Sequence, residues 1–76
     1  MESTLAAVTA GTTFRIEAVP DDQLRAKLRR LGFLDGRVDC RRRLSKGPVV
    51  ISRRGTDLAL GATVAADIEV REVETA

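Results

Sequence analysis

The chain has 76 residues, 43% of them hydrophobic and 32% charged, which is the composition of one soluble globular domain rather than a disordered or fibrous chain. A domain of this size buries only about 60% of the surface its unfolded chain exposes, so a deep substrate cavity with a full catalytic set is hard to fit. There is no His and a single Cys, Cys40, which removes the commonest general base near neutral pH, the commonest transition-metal ligand and any intrachain disulfide.

Met1 to Thr4 are expected to fray. No basic region followed by an apolar stretch opens the sequence, so no signal peptide is expected, and no apolar run approaches the ~20 residues that span a bilayer. Leu5 and Val8 are spaced to dip into a core, with Gly11 as punctuation. From Thr12 to Val19, Phe14, Ile16 and Ala18 alternate with Arg15 and Glu17, a period of two that predicts a half-buried strand. Pro20 ends it.

Asp21 and Asp22 precede a helical pattern, and either can cap the free amides of a first turn. Leu24, Leu28 and Leu31 fall on one face, and Ala26, Arg29 and Arg30 on the other. Gly32 supplies a left-handed stop, and Phe33 is placed to fold back on Leu28. Arg29 and Arg30 stand in the last turn, where cations are favoured.

Asp35-Gly36 signals a turn. Arg37 to Leu44 predicts a strand with Val38, Cys40 and Leu44 inward. Arg42 breaks that parity and marks a bulge, an edge or the point where the strand leaves the core. Ser45-Lys46-Gly47-Pro48 is a hairpin loop, and Val49-Val50-Ile51 the partner strand. Arg54-Gly55 is a further turn, followed by a short strand over Thr56 to Leu60. Gly61 to Ala66 predicts a tight turn or one helical turn. Asp67 to Val73 closes the chain as a strand, with Ile68 and Val70 inward. The whole predicts one mainly β domain (1–76, core 5–73): a small SH3-like barrel of about five antiparallel strands, with one short α-helix after the first strand.

No phosphate-binding Gly-Lys-Ser or Gly-Lys-Thr triplet occurs. Cys40 lies on a core face and reads as a small apolar residue. Asp67 and Glu69 share a strand face and suit solvent better than a cation. No catalytic residue, cofactor site or metal site is assigned, and the chain is not expected to be an enzyme.

Charge is uneven. Between Arg25 and Arg54 eleven basic residues face only Asp35 and Asp39, so this stretch carries 11 − 2 = +9 while the chain carries +2. Such asymmetry suits an acidic partner, and equally a solvated surface. Nucleic-acid binding is an alternative, with Arg41, Arg43 and Arg53 on phosphates. It is not expected, because Phe14 and Phe33 are the only aromatics and both belong to the core. The same shortage argues against proline-rich peptides. What remains is a partner-binding face made of Ala26, Arg29 and Arg30 on the helix and Arg41, Arg43 and Arg53 on the central strands.

The stretch Leu28-Arg29-Arg30-Leu31-Gly32-Phe33-Leu34-Asp35-Gly36-Arg37-Val38 resembles the FeoA family pattern: a helix ending Leu-x-x-Leu-Gly, an apolar residue, then a Gly closely followed by Val. Gly55-Thr56-Asp57-Leu58-Ala59-Leu60 is similar to the family's later Gly-x-x-apolar-Ala-Leu, and Ala65-Ala66-Asp67-Ile68-Glu69-Val70 to its closing Ala-x-x-Ile-x-Val. Asp35 stands where the family often has Pro, and Gly61 where it often has a basic residue. The resemblance implies an SH3-like barrel with a cytoplasmic, non-enzymatic role in ferrous iron transport. Its implied partner is FeoB, the membrane transporter with a GTP-binding domain. The same barrel resembles the C-terminal module of iron-dependent repressors, which makes a metal-sensing module a further alternative. Weak self-association is compatible with either.

Overall fold

The alternating run around Phe14 forms the strand its period predicts. In the computed structural model, which describes residues 2–73, the elements are β1 (Glu2–Thr4), a single 3-10 turn (Leu5–Ala7), β2 (Thr13–Ala18), α1 (Asp22–Arg30), β3 (Val38–Arg43), β4 (Val49–Arg53), β5 (Thr56–Leu60), α2 (Ala62–Ala66) and β6 (Glu69–Glu72). All six strands form one antiparallel sheet in the order β1-β6-β2-β3-β4-β5. The sheet curls around one core as a small SH3-like barrel, with its hydrogen-bonded ladder open between β1 and β5.

One strand more is present than the alternation predicts. Thr4 pairs with Glu69 and Ser3 with Val70, so this segment is β1 rather than a frayed end. Its three residues show no apolar alternation. They are held by the backbone of β6 and by Leu5, whose N–H donates to the Ile68 carbonyl at 2.9 Å. Met1 lies outside the described residues.

The core consists of Leu5, Val8, Phe14, Val19, Leu28, Phe33, Val38, Cys40, Val49, Ile51, Leu60, Ala65, Ile68 and Val70 with their partly buried neighbours. It takes most of the strand residues predicted to face inward, Leu44 excepted, and one face of α1. The two phenylalanines are its largest fully buried side chains.

Helix α1 begins where Asp21 accepts a hydrogen bond from the Leu24 N–H at 2.9 Å, satisfying one of the free amides of the first turn. It ends in a Schellman arrangement. The Phe33 N–H donates to the Leu28 carbonyl at 2.9 Å and the Gly32 N–H to the Arg29 carbonyl at 3.1 Å. Gly32 has φ +87°, a conformation that costs an L-residue roughly 1–2 kcal/mol. Leu28 and Phe33, which bracket the stop, are both fully buried. Leu31 departs from the predicted inward face and is 40% exposed, because the helix ends at Arg30 and Leu31 sits in the cap, where the chain turns back toward β3.

A second contact locks this corner. Arg53, at the end of β4, donates from Nε to the Gly32 carbonyl at 2.8 Å and from Nη1 to the Arg37 carbonyl at 3.5 Å. The end of the β4–β5 hairpin is thereby fastened to the C-terminal end of α1.

The parity break at Arg42 is a bulge. Cys40 pairs with Ile51 and Arg42 with Val50, leaving Arg41 as the extra residue. The inserted residue flips every following side chain. Leu44, predicted inward, is for that reason 50% exposed. A second irregularity falls between Ile16 and Ala18 where β2 meets β6.

Cys40 is buried in this core. Burial pushes its thiol above the ordinary value of 9.0, and the Arg43 charge only partly offsets that. The thiol is therefore neutral and unreactive near neutral pH.

Three outcomes test this corner and this core. Gly32→Ala has room for its Cβ, the nearest atom being 4.0 Å away, so its cost is conformational: about 1 kcal/mol in urea unfolding. Arg53→Ala removes both carbonyl contacts and the packing of its stem, and should cost about 1–2 kcal/mol by the same measurement. For Cys40 the folded pKa lies above the unfolded one. Its contribution is complete below the ordinary value and is lost as pH rises through the folded value. Between about pH 8 and pH 10 the urea midpoint of the wild type should fall further than that of Cys40→Ala.

Candidate functional site

Cations in the last turn of α1 are favoured by the dipole at its C-terminal end, and Lys27, Arg29 and Arg30 occupy that turn. Ala26, Arg29 and Arg30 are all exposed, as the helix periodicity requires. Among the described residues, neither Arg29 nor Arg30 forms an ion pair, whereas Arg25 is held to Asp22 at 2.7 Å.

Arg53 joins this surface through its bond to Gly32, but its guanidinium is already engaged with two carbonyls. It organises the surface more than it offers itself to a partner. The same bond brings in two arginines that the sequence reading counted as charge without assigning a role. Arg37 is in the connection whose carbonyl Arg53 reaches, and Arg54 is the next residue in the chain. Both are exposed. The visible signals for them were the turn dipeptides Gly36-Arg37 and Arg54-Gly55, but no sequence pattern pairs one turn with the other.

Arg41 and Arg43 lie apart from this cluster. Arg43 is five residues along β3 from Val38, roughly 15 Å of strand. It donates from Nη1 to the Val8 carbonyl at 3.1 Å, tying the β3 end to the segment before β2. Arg41, the bulge residue, stands 3.9 Å from the Asp57 carboxylate with both groups exposed. A pair so open to water contributes little to stability. The six residues therefore divide into a helix-end group (Ala26, Arg29, Arg30, Arg53) and a strand group (Arg41, Arg43) that faces other contacts.

A concave surface lies elsewhere, away from the basic residues. The end of β2, the first turn of α1 and the β5–α2 link enclose a groove of about 530 Å³, lined by Val19, Pro20, Leu24, Leu60 and Val64, with Asp21 and Asp67 among its lining residues. Val64 is 40% exposed there. No local pattern marks it, because its walls come from three separate segments.

Among the described residues no three of His, Cys, Asp and Glu come close enough to hold a metal ion. No helix among them is long and apolar enough to cross a membrane. Cys40, neutral and enclosed, faces neither surface.

The FeoA domain family model matches residues 3–72. No curated protein matches the sequence. Two solved structures share the fold. The crystal structure of an iron uptake regulatory protein, FeoA, superposes with a TM-score of 0.79 at 24% identity, covering 96% of this chain and 100% of that one. The solution structure of a FeoA-like protein from Clostridium acetobutylicum gives a TM-score of 0.73 at 22% identity, covering 99% of this chain and 91% of that one. With six strands in the same curled sheet and a family match over nearly its whole length, this chain belongs to the FeoA domain family.

Proposed function

We propose that this protein is a non-enzymatic accessory protein of ferrous iron transport, acting on the cytoplasmic side and binding FeoB to modulate it. The family match over residues 3–72 carries this reading. One of the similar structures is described as an iron uptake regulatory protein. The physical features agree with an accessory role. The core is small and filled by packing side chains, and the polar groups lie on the surface rather than around a shared reaction centre.

The chemistry of the surface favours a polypeptide partner over nucleic acid. Both phenylalanines are fully buried, and stacking platforms are what single-strand readers of this barrel size rely on. Exposed, unpaired arginines suit an interface whose strength falls with salt.

The test combines capture and turnover. The cytoplasmic region of FeoB should be retained by this chain, with affinity falling about tenfold between about 50 and 300 mM salt. Adding the chain should change FeoB GTP turnover, and deleting its coding sequence should change ferrous iron uptake. No capture at high protein concentration, together with unchanged turnover and uptake, removes the reading.

A further inference from the structure

Three segments meet at the C-terminal end of α1, the third of them far along the chain from the other two. The helix contributes Arg29 and Arg30, the α1–β3 connection Arg37, and the β4–β5 turn Arg54, all exposed. Arg53 holds the segments together through the carbonyls of Gly32 and Arg37, and its guanidinium lies 3.0 Å from where a Cβ on Gly36 would stand. Five arginines thus share this corner with Asp35, while Asp39 and Asp57, on either side of Ser52 in the sheet, are engaged with Thr13 and Arg41. Among the described residues, Arg29, Arg30, Arg37 and Arg54 make no ion pair and no side-chain hydrogen bond. The helix dipole accounts for Arg29 and Arg30. It does not account for Arg54.

Arg54 is a backbone outlier. It has φ +50° and is followed by Gly55 at φ +83°, positive values at both centres of a two-residue hairpin turn. Such turns favour Asn, Asp or Gly at the first position. An arginine there weakens the fold and, among the described residues, gains no side-chain hydrogen bond or ion pair in return. Strain of this kind, beside uncompensated like charge, points to a role outside the fold.

We propose that Arg29, Arg30, Arg37 and Arg54, gathered by Arg53 at the end of α1, form a docking surface for a carboxylate-rich segment of a partner protein. The proposal rests on the reading that this chain docks on another polypeptide, and it names the face and the chemistry of what binds. Guanidinium groups match carboxylates in planar, two-bonded geometry. Leu31, 40% exposed beside Arg30, offers an apolar contact that a side chain of a protein segment can fill and a phosphate backbone cannot. One exposed leucine is too little apolar surface to anchor on a lipid bilayer.

Lys46 supplies an internal control. It too has positive φ, +60°, but it stands in the β3–β4 loop, at the opposite end of those strands from Arg37 and Arg54. The isotope-labelled protein is titrated with a glutamate-rich peptide containing one leucine, with a duplex oligonucleotide, and with phosphatidylserine vesicles. Peptide binding should saturate at low salt, with amide shifts centred on residues 31–37 and on Arg54 and Gly55. Arg54→Asn should raise Tm by about 3 °C yet weaken the peptide about threefold. The double reversal Arg29→Glu with Arg30→Glu should weaken it at least about tenfold. Lys46→Asn should raise Tm similarly and leave peptide affinity unchanged. Shifts centred on the β3–β4 loop, equal losses in Lys46→Asn, tighter binding of oligonucleotide or vesicle, or no saturable peptide binding would each overturn the proposal. If the double reversal still captures FeoB at wild-type strength, this surface is refuted while the iron-transport reading stands.

Discussion

The Gly32 carbonyl, accepting a 2.8 Å hydrogen bond from Arg53, is the contact on which this small protein's geometry turns. Gly32 is already the residue that lets α1 stop, because its left-handed backbone directs the Phe33 N–H back to Leu28. That stop drops Phe33 into the core and leaves the Gly32 carbonyl pointing away from the helix without a helical partner. That carbonyl accepts from the Asp35 N–H at 3.3 Å and, more closely, from Arg53 at the end of β4. Helix α1 is thus fixed at both ends: by Asp21 at its start and by the β4 arginine at its finish. In a domain with so little buried surface per residue, one such fastening weighs more than it would in a large one.

The bulge at Arg41 is the second device that shapes the surface. Without it, strict alternation would send Arg42 into the core and Leu44 with Cys40. With it, Cys40 keeps its enclosed position, Arg42 lies opposite Val50, and Leu44 is given up to solvent. The strand also gains a place for Arg43 to reach the Val8 carbonyl. The basic residues of β3 are for this reason partly occupied in holding the fold. Basic residues at the end of α1, by contrast, remain unpaired.

That division matters for function. A charge run read along the chain spreads over some thirty positions, from Arg25 to Arg54. In space it splits into groups with different work. One closes the sheet against the segment before β2. The other collects around the helix end and faces outward, next to a partly exposed leucine. An accessory protein that must recognise a larger partner needs one coherent surface rather than a uniformly positive one, since complementary patches set orientation and encounter rate.

Much of the local structure was readable in the amino-acid order. Alternation found β2, β3 and β6, a β-branched run found β4, and Leu58 and Leu60 on one face after the Arg54-Gly55 turn found β5. The capping aspartates, the leucine spacing and Gly32 found α1 and its stop. Arg42, by breaking parity, marked an irregularity that the pairing with β4 resolves as a bulge. The Gly/Leu signatures announced the family. These features are legible because their causes lie within a few neighbouring residues: backbone sterics, helix capping and side-chain period. Strand β1 was not legible, since three polar residues become a strand only when β6 is beside them. Nor was the exposure of Leu31 and Leu44, which depends on where a helix ends and where a bulge resets the sheet. The groove between β2, α1 and the β5–α2 link, and the tie from Arg53 to the Gly32 and Arg37 carbonyls, belong to tertiary structure alone. Their parts are remote in sequence, and only the closing of the sheet around Phe14 and Phe33, with Arg53 reaching across to Gly32, brings them together.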